Sequence, residues 1–402
     1  KEWIEAGPKE PDPKTGKKVW VRKAITQARP TYADKDWDLI IADESILLKN
    51  RKAVKVDVLL TLTKYSHQVF LLSGSPTAKF RDDLYPQVKM LMPRGFTSYW
   101  RFAEFFCIVE KGQWGWDITG DRPTNDPQKY LKDFYFVRNQ KDVLPDLPDY
   151  LYDPIEIDLK GDQQKAFNQM IEEWVVALEI EGRPVEEGEE DLAATGRLAQ
   201  QTRMLQITSN LCNLEKGAGK TMPNSSAKED LLIDLIRQGD IEFPLLVWSW
   251  FVPTTESIDA RLEKDCKDIR SVYVTGQMTP DQKDEGIEMY KAGEVDVLVL
   301  QMGVGKFGHT LTDTRTVYYH DRAFDSDAYL QSLRRVKRIG LTHSPRLIVP
   351  RARISADPIV ELNLAGKMES ISKVASHDLQ ELLKSLGNLE WSLDASTFDV
   401  AA

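Results

Sequence analysis

The sequence predicts an α/β protein with two parallel-sheet units and a helical insertion between them, and three stretches carry that prediction. The first is Asp38-Leu39-Ile40-Ile41-Ala42-Asp43-Glu44-Ser45, an apolar run that stops at two adjacent carboxylates. A short continuous apolar run fits a strand covered on both faces, as in a parallel sheet flanked by helices. The carboxyl end of such a strand is where these sheets open a crevice for ligands. Two acids beside a dry core are costly there unless something cationic shares them. The second stretch is Val69-Phe70-Leu71-Leu72, which follows a helical pattern from about Arg51 to Tyr65 and ends in Ser73-Gly74-Ser75-Pro76-Thr77. Strand, helix and strand within about 40 residues make a βαβ unit with a right-handed crossover. The third stretch begins near Ser226. There a helix at Leu231 to Ile236 leads to apolar runs at Leu245 to Trp248, Val272 to Val274, Val295 to Leu300, Thr316 to His320 and Leu347 to Val349.

The remaining elements follow in order. Residues 1–37 are polar and broken by Pro8, Pro11, Pro13 and Gly16, with a short strand expected at Val19 to Val21. Arg81 to Met92 reads as a helix, and the aromatic segment Tyr99 to Phe106 reads as packing, not as a base-stacking platform. Pro145 and Pro148 mark a boundary, after which Ile155, Ile157 and Leu159 alternate as a half-buried strand. Long helices are expected at Asp162 to Ile180 and Glu190 to Asn210, joined by the acidic connector Glu186 to Asp191. The domain plan is therefore 1–148, 149–225 for the linking strand and helical insertion, 226–365, and a helical tail at 366–402.

Composition narrows the class. The chain has 402 residues, enough for two domains with buried cores. No apolar run approaches the roughly 20 residues that span a bilayer, so no membrane partner is expected. Lys1-Glu2-Trp3-Ile4-Glu5 does not have the pattern of a signal peptide. Cys107, Cys212 and Cys266 lie far apart, which suits a reducing cytosol, bacterial or infected-host (or nuclear, in a eukaryote), and fits no disulfide framework. The five histidines do not cluster, which argues against a zinc site. Net charge is −10, yet basic residues gather at Lys49, Arg51, Lys52 and Lys55 and again at Arg334, Arg335, Lys337 and Arg338. A protein that tracks DNA needs one basic groove, not a basic whole. This balance predicts weak, strongly salt-sensitive DNA affinity.

One motif is a decoy. Lys216-Gly217-Ala218-Gly219-Lys220-Thr221 looks like the end of a phosphate-binding loop, but Leu214 stands where that loop needs its first glycine. Pro223 with Asn224-Ser225-Ser226 follows in place of a helix start, so the stretch reads as a linker.

Together the motifs resemble the SWI/SNF-like ATPases of helicase superfamily two, most closely the annealing-helicase branch, in a short viral or bacterial form. Asp43-Glu44-Ser45 with Leu48-Lys49-Asn50 resembles the DESH box and its Lys-Asn tail, with Ile46 in place of the histidine. Leu71 to Thr77 resembles the L-x-G-T-P coupling motif, and Phe136 to Val143 the R-x-x-K-x-x-V segment. Arg203-Met204-Leu205-Gln206-Ile207 resembles the L-R-Q-I helix, and Thr275-Gly276 to Gly293 the D-G-S-T stretch. Gln301 to Thr312 is similar to the glycine-rich fifth motif, and Gln331 to Gly340 to Q-x-x-x-R-x-H-R-I-G, with Lys337 for the histidine.

The resemblance implies two RecA-like lobes, the first of them incomplete, closing on ATP with DNA across both. Asp43 would hold Mg²⁺ and Glu44 would activate the attacking water. Arg335 and Arg338, three apart on one helix face, would reach the γ-phosphate, a contact worth roughly 10³ to 10⁵ in rate. Gln331, Gly305 and Gly308 would line ATP. Ser73, Gly74, Ser75 and Thr77 would couple the nucleotide to DNA. Lys49, Asn50, Thr275, Gln301 and His309 would touch phosphates of a duplex or fork without reading bases.

The phosphate-binding loop is the one motif these residues lack. In the family it lies upstream of a helix with a W-x-x-E pattern, whose tail Lys1 to Glu5 would match. The expectation is that the chain is a fragment, with an amino-terminal segment supplying that loop, and that residues 1–402 alone hydrolyse ATP poorly. The first sheet should then show an open edge and uncovered apolar area. The alternatives are a remnant that binds DNA or protein without hydrolysis, or a scaffold with the same fold. A nuclease lacks any supporting acid or histidine cluster.

Overall fold

A computed structural model of the chain describes residues 9–11, 18–20, 37–112, 115–138, 140–159, 161–170, 202–216, 220–221, 224–304, 308–322, 325–353, 357 and 360. The described residues fall into two compact units, one formed by 1–74 and 83–102 and the other by 75–82 and 103–402. The division passes through the predicted coupling motif, between Gly74 and Ser75.

The first unit is built on a parallel pair, β1 (Trp37–Ala42) and β2 (Ser66–Leu71), joined by helix α1 (Val54–Thr63). Leu39 lies opposite Gln68 and Ile41 opposite Phe70. Helix α2 (Tyr85–Leu91) completes the unit. Its core is small: Leu48, Val56 and Met90 are buried, with Ala42, Leu59, Leu60 and Leu71 packed against them. The expectation that β1 is covered on both faces is corrected here. Ile40 and Ala42 are half-buried, while Leu39 is 43% and Ile41 58% exposed. The reason is the period of the strand, since alternate residues face opposite ways and, among the described residues, one face meets a layer. Phe70 and Leu72 are also exposed, and β1 and β2 pair only with each other among the described residues.

In the second unit an antiparallel hairpin, β3 (Cys107–Gly112) and β4 (Gly115–Asp121), follows helix α3 (Tyr99–Phe106). Phe102 and Phe106 of that helix are fully buried, as core packing requires. A six-stranded sheet then dominates. Its strands are β5 (Leu151–Ile157), β6 (Leu245–Ser249), β7 (Ser271–Val274), β8 (Val297–Gln301), β9 (Thr316–Tyr319) and β10 (Arg346–Ala352). All neighbours are parallel, in the order β7-β8-β6-β9-β10-β5.

Helices α4 (Ala227–Arg237), α5 (Val252–Asp265), α6 (Pro280–Lys291) and α7 (Ser326–Val336) make the crossovers. Their starts are written in the sequence: Ser226 caps α4 through Glu229 N, and Thr279 with Gln282 forms a complete capping box on α6. Every residue of β6 is buried, and two cores lie on the sheet's faces, one around Trp248, Tyr319 and Tyr329, the other around Val247, Val299 and Tyr318. The α/β class is thus as the sequence predicts. Of the helical insertion, residues 161–170 and 202–209 are helical, and the stretch between them, like the 366–402 tail, lies outside the described residues. At the decoy, Glu215–Lys216 pairs antiparallel with Lys220–Thr221, which is not a strand–loop–helix phosphate cradle. No helix among the described residues is long and apolar enough to cross a membrane.

Candidate functional site

At the carboxyl end of β1 the chain turns sharply. Glu44 adopts φ 49° and ψ 51°, and among the described residues it is the one non-glycine with positive φ. Left-handed backbone at a residue with a Cβ costs about 1–2 kcal/mol, so surrounding bonds must hold it. They do: Ser45 N donates to the Leu72 carbonyl (2.8 Å), Leu72 N to the Ala42 carbonyl (2.9 Å), and the buried Ser45 hydroxyl to Gln87 Oε1 (2.9 Å). Glu44 N donates to Asp43 Oδ1 (2.8 Å). The result presents Asp43 and Glu44, both exposed, at the strand end. Ile46, standing for the histidine of the DESH form, is buried at 2% exposure, which suits an apolar replacement. Lys49 and Asn50 are exposed on the next turn, and Asn50 Oδ1 accepts from Lys52 N (3.0 Å).

The predicted coupling residues divide. Ser73 is half-buried and Gly74 exposed, whereas Ser75 and Thr77 are buried. The Thr77 hydroxyl is enclosed without a hydrogen-bond partner.

In the second unit, Arg335 lies in the last turn of α7 and is buried. The helix stops at Val336, so Arg338 sits in the turn beyond it; the expectation that both arginines share one helical face is corrected. Arg338 N reaches back to the Val336 carbonyl, and Gly340, at φ 104°, completes the exit. Arg338 Nη1 donates to the Gly308 carbonyl (3.1 Å) and to Thr310 Oγ1 (2.9 Å), while Leu311 N donates to the Arg335 carbonyl (2.9 Å). The glycine-rich motif and the arginine motif are therefore one bonded cluster. Gln331 lies one helical turn before Arg335, half-buried. Gly305 lies outside the described residues. The Tyr150 hydroxyl donates to the Leu333 carbonyl (2.6 Å), and Lys337 pairs with Asp149, so the segment before β5 braces this helix. Burial raises the Tyr150 phenol far above its ordinary range, so it stays a neutral donor.

The predicted DNA contacts of this unit are placed less evenly. Thr275 is 1% exposed, so its hydroxyl is shut away from any surface ligand. Gln301 is a brace: its Oε1 accepts from Gly276 N (2.8 Å) and its Nε2 donates to the Trp250 carbonyl (3.3 Å). His309 Nε2 lies 3.3 Å from Asp284 Oδ1.

A further polar centre is signalled by no motif. The strand order reverses at β6, and there Asp321 Oδ2 accepts from Ser209 Oγ (3.0 Å), Ser249 Oγ (3.0 Å) and Trp250 N (3.2 Å). Open α/β sheets place ligand crevices at this point. Here the protein fills it with its own network, joining the helical insertion to the sheet. Nothing local in the sequence signals it, because Ser209 is 112 residues from Asp321.

No group of three or more potential ligands that could hold a metal occurs among the described residues. Mg²⁺, however, keeps several waters and takes only one or two carboxylates beside nucleotide phosphates. The exposed Asp43 fits that requirement.

Comparison with known proteins agrees with the motifs. The sequence matches the SNF2-related domain over residues 22–219 and the helicase conserved C-terminal domain over residues 227–340. The two matched stretches fall on the two α/β regions read from the sequence. It is 25% identical over 326 residues, 80% of its length, to the SWI/SNF-related matrix-associated actin-dependent regulator of chromatin subfamily A-like protein 1 of Xenopus tropicalis. It is 28% identical over 145 residues, 35% of its length, to the human DNA annealing helicase and endonuclease ZRANB3. It spans 32% of the former and 13% of the latter. Among solved structures, the Sulfolobus solfataricus SWI2/SNF2 ATPase core in complex with dsDNA aligns over 86% of this chain and 75% of that one, at 20% identity and TM-score 0.39. The two sequence matches and the sequence relatives support a likeness to SNF2-family ATPases of helicase superfamily two.

Proposed function

We propose that this SNF2-type chain is the motor part of a DNA-dependent ATPase that moves on or remodels duplex DNA without reading its bases. The observation that carries the reading is the left-handed turn at Glu44, which presents two acids at the end of a parallel strand. Asp43 would hold the Mg²⁺ of Mg-ATP, which shields phosphate charge when bound, and Glu44 would orient and deprotonate water. Arg335 and Arg338 would meet the γ-phosphate, where a permanent charge and a planar fork suit phosphoryl oxygens. Arg338 would have to exchange its bonds to Gly308 and Thr310, which makes that exchange a natural reporter of nucleotide. Gln331 and Gly308 would line ATP, with Gly305 beside them. Ser73 to Thr77 would pass the nucleotide state to DNA.

DNA affinity would come from phosphates, through Lys49 and Asn50 in the first unit and His309 in the second. Shape and charge would then select duplex or fork. No Gly-x-x-x-x-Gly-Lys-Ser/Thr loop occurs in the 402 residues, so hydrolysis would need that loop from outside them. A second reading, a remnant that binds DNA or protein without hydrolysis, draws on the exposed Leu39, Ile41 and Phe70.

The test measures duplex binding and phosphate release by residues 1–402 across a salt series. Binding that weakens steeply with salt, with turnover near background, is expected. Absence of DNA binding at any salt sinks the proposal. Robust turnover abolished in Glu44→Gln keeps the acid role and removes the need for an external loop.

A further inference from the structure

The hairpin β3–β4 belongs to none of the motifs above, and its two faces differ in chemistry. In its register Lys111 lies opposite Trp116 and Val109 opposite Ile118, so these four share one face. Glu110 lies opposite Asp117 on the other face, where the Asp117 carboxylate folds so closely over Gly112 that a Cβ there would fall 2.1 Å from Oδ2. Two acids directly opposite repel, and nothing in folding favours that pairing. The alternation does, however, clear negative charge from the face that holds the cation and the indole. Trp116 is 56% exposed although it is the largest apolar side chain available to bury.

The base of the hairpin is held tightly, in contrast to this open end. Arg81, only 4% exposed, donates from Nη1 to the Arg122 carbonyl (2.6 Å) and the Asn125 carbonyl (2.8 Å). Its backbone N–H donates to Asp121 Oδ1 (2.8 Å), and Nε lies 3.8 Å from Asp121 Oδ2. Arg122 Nε closes the strand ends through the Cys107 carbonyl (2.9 Å). Arg81 stands four residues after Thr77, so the anchor is continuous with the predicted coupling segment.

We propose that this hairpin is a nucleic-acid pin: Trp116 stacks on an unpaired base where a duplex opens into a single strand, and Lys111 meets the adjoining phosphate. An aromatic surface beside a cation is the chemistry that recognises single-stranded nucleic acid without sequence preference. The Arg81 anchor holds the base of the pin and links it, through hydrogen bonds, to the segment that follows the coupling motif. The inference rests on the DNA-motor reading and adds to it one named contact, Trp116 on an unpaired base.

The test uses the full chain with two labelled probes, a blunt duplex and the same duplex bearing a single-stranded arm, with 2-aminopurine at the first unpaired position. Wild type should prefer the armed probe and quench the 2-aminopurine. Trp116→Ala should weaken armed-probe binding by roughly 5- to 100-fold, the loss of one stacked base, and abolish quenching. Blunt-duplex affinity should stay within about twofold, because that probe offers no unpaired base to stack. Trp116→Phe should restore most of the preference. If wild type binds DNA but Trp116→Ala binds the armed probe as tightly, with quenching unchanged, the pin is overturned and the motor reading stands. If wild type binds neither probe, both fall.

Discussion

Two apolar runs of nearly the same composition meet different fates in this molecule. Leu245-Leu246-Val247-Trp248 in β6 is wholly buried, while Leu39-Ile40-Ile41-Ala42 in β1 leaves Leu39 and Ile41 in solvent. Both become parallel strands, so the difference does not lie in propensity. Strand β6 has β8 on one side, β9 on the other and helical layers on both faces. Among the described residues, strand β1 pairs with β2 and packs against one layer. Burial is a property of neighbours, and a run can announce a strand without announcing what covers it.

The largest expected effect tests that contrast directly. Trp248→Ala, at a fully buried site stacked on Tyr319, should cost about 3–5 kcal/mol in urea unfolding. Ile41→Ala should cost less than about 0.5 kcal/mol. Equal costs would show that the first sheet is covered in solution and would break the comparison. Next in size, Arg81→Ala should cost about 3 kcal/mol, because it strands Asp121 and two carbonyls away from water. A neutral result would mean that the hairpin base is not the rigid anchor described.

Glu44→Gly sharpens the contrast from within the weaker unit. Glycine adopts the left-handed turn without strain, so the variant should be more stable by about 1 kcal/mol in the same unfolding assay. A destabilised variant would show that the Glu44 side chain, not its backbone, holds the turn.

The smallest effect lies in the well-packed unit. Asp259 is buried, and burial raises its pKa above the ordinary carboxylate range. A folded pKa raised above the unfolded one favours the protonated acid. Its contribution is fully present at acidic pH and lost as pH rises through the folded pKa. At neutral pH the ionised group is therefore a burden, and Asp259→Asn should raise the melting temperature by a few degrees, about 1 kcal/mol. The gain should vanish in acid. The Cys212 thiol gives a related check: burial pushes it up to about 12, so thiol reagents at neutral pH should label it only after unfolding.

Much of this was legible in the sequence, and what was not has identifiable causes. The second sheet could be read strand by strand because its runs are apolar and its helices carry their own caps at Ser226 and Thr279. The acid pair could be read because Asp43 and Glu44 interrupt an apolar run. The left-handed turn at Glu44 could not, since it is imposed by Leu72 and Gln87 from other elements. Spacing put Arg335 and Arg338 on one face, but the helix ends between them, where Gly340 and the Gly308 carbonyl redirect the chain. The hairpin is hidden in the sequence because a register shift near Val109 breaks its alternation. The Asp321 network joins residues that only the finished sheet brings together.

Under the proposed function, Glu44 activates the water in a DNA-driven ATPase. Phosphate release with and without duplex DNA, by residues 1–402 joined to a phosphate-binding loop and by the Glu44→Gln variant of that protein at saturating Mg-ATP, tests this role. DNA should stimulate the wild type, and the variant should lose about 10²- to 10⁴-fold in turnover while still binding ATP and DNA. DNA-stimulated turnover unchanged in Glu44→Gln would contradict it.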